Sequence, residues 1–600
     1  MKTIRFNPII ALCLILAGVT ACYWGVLKNG YVWDDRISFL DYPQLMSWEG
    51  LKQGLSNPSL FFPANYYRPL TTIQLSMELR IAEREPWLLH AVSLFIHLAN
   101  TALVFVLGRR LVVKFTAPTG EGEAGRTIPW LAAAIYGFHP ALTESVSWIA
   151  ARSDLTVTFL LLVCMVLSIG RGTALRLLAL AFFFFCAGLS KESAIVLPFL
   201  LILIDAFGMR QAHVPLKALL RDRVPVYGAI VLGGAGVLVV RYLGLGYLMT
   251  SAVNPASGSA IQHALLVGQA LFAYLRAALM PFDTINPFHM TAIPVVVRDP
   301  LPWIQALIAT AALAGFIYAW RRCWLWGLMG VLYVAALLPV LQIMPLPLSG
   351  NLYHERYMTL PLVFMALGAA LLVVKSTGGL SLSGRKVWGA WIGVGFWIAL
   401  AMANVLVTVP LWRTDFVLWT WVLERNPESF IAKHNLAGAY LSAGEYEKAS
   451  KLNRDLLRRY PGHYLPLMNL GLQAIRENRL DDAIAYTEQA IRSPYGIEKS
   501  YYALALGNLG YAEAGRGDLD LAETLLSEAT RIAPGFVEAV SNLSLVQRLK
   551  GNAAAAEANR ALASSYVPLK ERAAFAARAE RNLVFFRDAL GRSAQSSNRQ

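Results

Sequence analysis

Two adjacent carboxylates, Asp34 and Asp35, follow a Tyr and a Trp in "YVWDD", just past the end of an apolar run. Like charges repel, and a carboxylate at a lipid–water boundary, crowded by a second one and walled by aromatics, is expected to hold its proton more tightly than usual. Such a group suits proton removal from a hydroxyl and would equally suit a metal ligand; the plain alternative is a polar helix end. Three further stretches carry acid, base and cation close together. "FHPALTESVSWIAARSD" holds His139, Glu144 and Arg152. "SKES" holds Lys191 and Glu192, and "NLYHERY" holds His354, Glu355 and Arg356. "TESVSWIAAR" reads as a short helix with Glu144 and Trp148 one turn apart. Arg offers a forked donor to phosphate oxygens, so carboxylates beside cations at one membrane face suggest chemistry on a lipid-borne phosphate.

The elements that must position these groups are membrane helices. Of 600 residues, 56% are hydrophobic and 15% charged, well below the charged share of a soluble chain. Apolar runs of spanning length lie near 9–27, 88–108, 128–146, 154–170, 173–189, 192–208, 224–241, 263–281, 300–320, 324–342, 357–375 and 388–411. The first is long enough to span, and it continues into Tyr23 and Trp24 like an interfacial anchor, so it is read as a retained helix rather than a cleaved signal. The net charge of +15 falls mostly before Trp412, scattered through short loops, which fits helix orientation rather than nucleic-acid binding. Placing Lys2, Arg5, Arg109, Arg110, Lys114 and the 210–223 cluster inside leaves Arg321–Arg322 and Arg385–Lys386 outside, unless 263–281, with its Gln269 and Arg276, does not span. The reading is therefore about eleven spans, N-terminus cytoplasmic and C-terminus outside. Asp34–Asp35 and the three polar turns then share the outer face. The five cysteines all lie in or beside apolar runs, which excludes a disulfide framework or a zinc site.

Beyond Trp412 the pattern changes. "NLA" at 435–437 recurs as "NLG" at 469–471 and 508–510 and "NLS" at 542–544, followed in phase by Ala449, Ala483, Ala522 and Ala556. This is the helix–turn–helix period of tetratricopeptide repeats. The fold class is thus all-α: a polytopic membrane bundle over 1–411, with a first outer loop at 28–87, then a solenoid. A linker helix is expected at 412–425, four repeats at 426–566, a capping helix at 567–590 and a disordered tail at 591–600.

"YVWDDR", "YYRPLTTIQLSMEL", "LLHAVSLFIHLANTALV", "FHPALTESVSWIAARSDL", "SKESAIVLP" and "HERYMTLP", in this order and followed by repeats, resemble the transmembrane and tetratricopeptide-repeat O-mannosyltransferase family, a group of GT-C membrane glycosyltransferases. The resemblance covers nearly the whole chain. It implies a sugar on a polyprenyl phosphate, bound from the outer leaflet, and a protein Ser/Thr hydroxyl as acceptor. By position it implies Asp35 as base with Asp34 as its partner. Arg356 would hold the donor phosphate, and Arg68 would orient the first loop or bind phosphate. His139, Glu144, Arg152, Lys191, Glu192, His354 and Glu355 would line the site. Thr359 stands where an aromatic or aliphatic residue is expected, and 242–299 carries no assignable motif. With no DxD-type triplet in the outer loops, neither a metal nor another cofactor is expected beyond the lipid-linked donor. The partners implied are membrane lipid, that donor and an acceptor protein held by the repeats, with no nucleic acid. The absence of cysteines outside the membrane favours a bacterial inner membrane over the ER. Two readings compete: a non-catalytic membrane-anchored scaffold, which needs neither aspartate, and a transporter, which would keep more ionisable residues within its spans.

Overall fold

The computed structural model describes residues 7–35, 43–56, 67–116, 123–170, 172–247, 258–280, 282, 288–289, 294–343, 351–377 and 385–597. In chain order the first helices are α1 (Pro8–Tyr23), α2 (Trp48–Ser56), α3 (Pro69–Ile81), α4 (Pro86–Thr116), α5 (Glu123–Gly137), α6 (Thr143–Ser147), α7 (Arg152–Ser168), α8 (Ala174–Ser190), α9 (Val196–Ala212) and α10 (Leu216–Leu245). Then come α11 (Ala260–Leu279), α12 (Pro300–Arg321), α13 (Leu325–Leu337), α14 (Pro361–Thr377) and α15 (Arg385–Thr408). The chain divides into two compact units: 1–30, 87–242 and 247–413 form one, and 31–86, 243–246 and 414–600 the other. The stretch read as the first outer loop of the membrane domain therefore groups with the repeats.

The first unit is a bundle of apolar helices. Among the described residues, seven helices are long and apolar enough to cross a membrane: Pro8–Lys28, Pro86–Phe115, Ile149–Ser168, Glu192–Ala212, Arg221–Leu245, Pro300–Arg321 and Trp388–Trp412. Ala174–Ser190, Leu325–Val340 and Pro361–Thr377 are shorter apolar helices. The chain is a multi-pass membrane protein with an all-α fold. α11 is outside both sets; it buries Gln269 and Tyr274, and the Gln269 amide donates to Gln305 Oε1 at 2.9 Å.

One apolar run departs from the sequence reading. The run 128–146 is not a single helix: α5 stops at Gly137, and the chain continues as buried turns. Pro140 disfavours helical backbone at the residue before it. His139 is extended (φ −67°, ψ 121°), and its Nδ1 accepts the Ala141 N–H to start a new turn. Gly137 also brings helices together, since a Cβ there would lie 2.8 Å from Val19 and 3.0 Å from Thr101. Its carbonyl lies 3.0 Å from His97 Nε2, and the Gly30 carbonyl lies 3.4 Å from His90 Nε2, so one ring nitrogen of each α4 histidine meets a backbone carbonyl.

The second unit holds α2, α3 and the repeats: α16 (Asp415–Arg425), α17 (Phe430–Ser442), α18 (Tyr446–Arg459), α19 (Tyr464–Arg476), α20 (Leu480–Ile491), α21 (Lys499–Arg516), α22 (Leu519–Ile532), α23 (Val537–Leu549), α24 (Ala553–Tyr566) and α25 (Arg572–Ser597). Small residues set the crossings. Ala449, Ala483 and Ala522, one per second helix, are fully buried, and a Cβ on Gly471 would meet Thr487 Oγ1 at 2.7 Å. Successive first helices (α17, α19, α21, α23) touch one another, and each second helix packs against the first helix of the next repeat. The first helices therefore form the inner, concave side of the stack.

Two boundaries differ from expectation. The tail is helical to Ser597 rather than disordered from 591. The helix expected to cap the stack packs on α21 and α23, across the concave side. Its Leu583 and Phe586 join the core made by Leu506, Leu543 and Val546. An amphipathic stripe signals that a face must be covered, but not by which neighbour.

Candidate functional site

Two turns of the membrane unit meet at Arg356, and a third, with Lys191, reaches the neighbouring Tyr357. The first is α6, cut to a single turn at Trp148, whose backbone becomes extended (φ −105°, ψ 117°). The helix expected through "TESVSWIAAR" is thus split into α6, a 3-10 turn at Ile149–Ala151 and the start of α7. Glu144 and Trp148 nonetheless face the same partner. Glu144 Oε2 accepts the Arg356 backbone N–H at 2.9 Å, and Glu144 Oε1 accepts Nη1 of its guanidinium at 2.8 Å. The guanidinium carbon lies 4.9 Å from the Trp148 ring centre and 4.7 Å from that of Tyr357, within cation–π range. Arg356 Nη2 donates to the Tyr357 hydroxyl at 3.2 Å.

His354 Nδ1 lies 3.4 Å from Glu144 Oε1. Burial alone would raise the Glu144 carboxyl, but the Arg356 charge and the His354 contact outweigh it and bring it down to about 2. Burial, reinforced by the nearby Arg356 charge, lowers His354 to about 4, so the imidazole is neutral at pH 7.

A second ion pair stands beside the first. Lys191 Nζ lies 2.5 Å from Asp154 Oδ2, and it sits 4.9 Å from the Tyr357 ring centre. Tyr357 thus touches both cations. Thr359 completes the packing: its hydroxyl donates to the Asp154 carbonyl at 3.2 Å and accepts from Thr158 Oγ1 at 2.9 Å. An aromatic residue at 359 would break both bonds.

A third pair was not foreseen. His289 Nε2 lies 2.5 Å from Glu355 Oε1, and the imidazole stacks on Tyr353 at 4.0 Å. Tyr353 in turn meets Tyr274 of α11 edge-on at 5.0 Å. Burial raises the Glu355 carboxyl, against the pull of His289. Nothing in the sequence around His289 marks it: a single His in a long loop has no partner until the fold supplies one.

Other expected site residues have different surroundings. His139 Nε2 lies 3.1 Å from the Ala278 carbonyl while Nδ1 accepts from Ala141, so both ring nitrogens are engaged by backbone. Arg152 is fully buried; its Nε donates to Ser93 Oγ at 3.0 Å and its Nη2 to the Leu89 carbonyl. Glu192 lies 4.0 Å from Arg241.

Asp34, Asp35 and Arg68 belong to the other unit. Asp35 is fully buried; its backbone N–H donates to the Val32 carbonyl at 3.0 Å, and its carboxylate accepts the Val32 N–H at 3.4 Å. Asp34 is half-buried. The preceding residue, Trp33, has φ 53°, a left-handed backbone that is strained for a bulky side chain. It is held by α16: Trp33 N–H donates to Asp415 Oδ1 at 2.8 Å, and its ring meets Trp419 edge-on at 5.4 Å. Trp419 Nε1 donates to the same Asp415 oxygen at 3.2 Å. Arg68 precedes α3, its carbonyl accepting the Thr72 N–H at 3.0 Å.

A tetratricopeptide-repeat family profile matches residues 418–464 and 468–537. Over 161 residues the chain is 27% identical to protein O-mannosyl-transferase TMTC3 of Mus musculus, covering 26% of this chain and 16% of that protein. It is 27% identical over 148 residues to TMTC3 of Homo sapiens (24% of this chain, 15% of the relative). It is 28% identical over 153 residues to protein O-mannosyl-transferase Tmtc1 of Drosophila melanogaster (23% and 16%). These matches support the resemblance to the transmembrane and tetratricopeptide-repeat O-mannosyltransferase family over about a quarter of this chain. The match spans about a sixth of the length of these curated relatives. The chain contains both an apolar helix bundle and tetratricopeptide repeats.

Proposed function

We propose that the chain is a membrane glycosyltransferase that moves a monosaccharide, mannose-like, from a polyprenyl phosphate to a Ser/Thr hydroxyl of a protein on the outer face of the membrane, which for a bacterial chain is the periplasmic face. The observation that carries this reading is the pair of cations, Arg356 and Lys191, set on one aromatic ring and each matched to a buried carboxylate. The relatives' names, protein O-mannosyl-transferases, support this reaction class.

In this reaction the acceptor hydroxyl loses its proton to a carboxylate, for which Asp35 is the candidate with Asp34 as its partner. The alkoxide oxygen forms a bond to the anomeric carbon as the bond from that carbon to the phosphate oxygen breaks. Polyprenyl phosphate leaves with the electron pair. Its gain of charge is where Arg356 acts: a guanidinium fixed before the reaction needs no reorganisation as charge develops. Lys191 adds a second positive charge beside it. His354, neutral at pH 7, is able to donate or accept a hydrogen bond without adding charge. Arg68 is assigned to ordering the first loop, and the repeats to holding the acceptor.

The test is transfer of radiolabelled mannose from polyprenyl-phosphate-mannose to a Ser/Thr-rich acceptor by the purified protein in detergent, with and without a chelator. Wild type is expected to label the acceptor, and Asp35→Asn and Arg356→Gln are not. Full transfer by either variant removes that residue's assignment. No transfer by wild type from several donors, with the repeats still capturing a protein, supports the scaffold reading, which the repeat match by itself favours.

A further inference from the structure

The C-terminal helix lies where a ligand of the repeats would lie. A cap extends a solenoid by stacking on its last helix. Here α25 instead crosses the concave surface formed by the first helices of the third and fourth repeats, α21 and α23. It is held by one stripe. Leu583, Phe586 and Ala589 are buried, while Arg581, Val584, Arg587 and Asp588 on the opposite side are exposed.

The surface beneath is shaped for that stripe. Tyr511 of α21 meets the Phe586 ring edge-on at 5.3 Å and stacks on Phe585 at 5.9 Å. Gly515 leaves room for Phe585: a Cβ there would come within 2.7 Å of the ring. The repeat asparagine Asn542 accepts a hydrogen bond from Asn582 Nδ2 at 3.2 Å. Glu538 lies 3.5 Å from Arg578. The stretch "RNLVFFRDALGR" thus presents Asn, Leu and Phe to the groove, and Arg578, just before it, meets Glu538 at the groove's edge. At its start the helix is tied back by two ion pairs in the same unit, Arg84–Glu571 at 2.7 Å and Lys570–Glu83 at 3.6 Å.

We infer that the concave face of the third and fourth repeats is a helix-binding groove, filled by the chain's own α25, which takes in its place a basic amphipathic helix carrying the same Asn–Leu–Phe stripe. This goes beyond the transfer reaction and does not depend on it. A protein bearing such a helix competes with α25 for this groove. Binding of an external helix is weakened in proportion to the fraction of time α25 leaves the groove free.

The probe is a fluorescein-labelled peptide of residues 572–597 added to the full-length protein. Phe586→Asp places a charge in the buried stripe and releases α25, and Val584→Asp, on the exposed side, is the control. Saturable peptide binding to the Phe586→Asp protein, about tenfold or more tighter than to wild type and the control, and weakened by adding Asn542→Ala, is the expected result. Equal binding to all three proteins, or none to any, overturns the proposal. Should Phe586→Asp lose the helical signal of the repeats, hydrogen exchange on wild type decides. Amides of α25 are expected to exchange faster than those of α21 and α23; equal rates make α25 part of the repeat core and overturn the groove.

Discussion

Glu144 accepts both the backbone N–H of Arg356, at 2.9 Å, and its guanidinium, at 2.8 Å. One carboxylate therefore fixes the position of the "HERY" turn and the direction of its cation. Breaking a buried pair from one side leaves an uncompensated charge, which costs roughly 3–5 kcal/mol. Glu144→Gln is expected to lower the melting temperature in detergent and to abolish transfer. Arg356→Gln is expected to do the same, and the double variant to be more stable than the sum of the two losses implies. A double-variant cycle by thermal denaturation measures this. Strict additivity would mean that the two side chains do not act as a unit.

Lys191 and Arg356 share the Tyr357 ring, at 4.9 and 4.7 Å. Tyr357→Phe keeps the ring and removes only the hydroxyl that receives Arg356 Nη2, so a loss below tenfold in transfer rate is expected. Tyr357→Leu removes the π face from both cations, each such contact contributing about 0.5–2 kcal/mol. Its transfer rate is expected to fall at least tenfold, with KM for the lipid donor raised. Equal activity of the two variants would show that the ring face positions neither cation.

The repeats were legible because their signal is periodic: "NLA", "NLG", "NLG" and "NLS" mark the inner helices by themselves. The polar turns were legible as motifs, and Glu144, His354, Arg356 and Lys191 do come together. Hydropathy failed at 128–146, because a buried turn such as "FHPALTESV" is as apolar overall as a span; only the His-Pro break separates them. His289 was invisible because its partner, Glu355, is 66 residues away. Composition also could not show that "YVWDD" is held by Asp415 and Trp419, because Trp33 and Asp415 are 382 residues apart in the chain.

That contact makes its own prediction. Trp33 keeps a strained φ of 53° with its N–H bonded to Asp415, and such strain persists only where the surroundings over-determine it. Asp415→Ala removes the acceptor for both Trp33 N–H and Trp419 Nε1. It is expected to release the turn that carries Asp34 and Asp35, cutting transfer at least tenfold while the repeats remain folded by circular dichroism. Asp415→Asn, which keeps a carbonyl oxygen at the same place, is expected to recover much of the rate. Loss of activity in both variants alike would assign Asp415 a role through its charge rather than through the turn.

The repeats also contain a pH-sensitive site. Burial, with the neighbouring His463 adding to it, lowers His434 from 6.5 to about 4, and burial also lowers His463. His434 Nδ1 lies 3.2 Å from Asn469 Nδ2, and Phe430 stacks on its ring at 6.5 Å. A His whose folded value lies below its unfolded one binds its proton more readily once unfolded. Stability is therefore complete above pH 6.5, falls as the pH drops towards 4, and levels off below that. At pH 5.5, one unit below the unfolded value, the loss from His434 is about 1 kcal/mol. This corresponds to a melting temperature lower by about 3 °C for a unit of this size. His434→Gln lacks the titrating group, so its melting temperature is expected to change less between pH 7 and 5.5 than that of wild type, His463 supplying what remains. An unchanged pH slope in that variant would place the acid sensitivity of the repeats elsewhere.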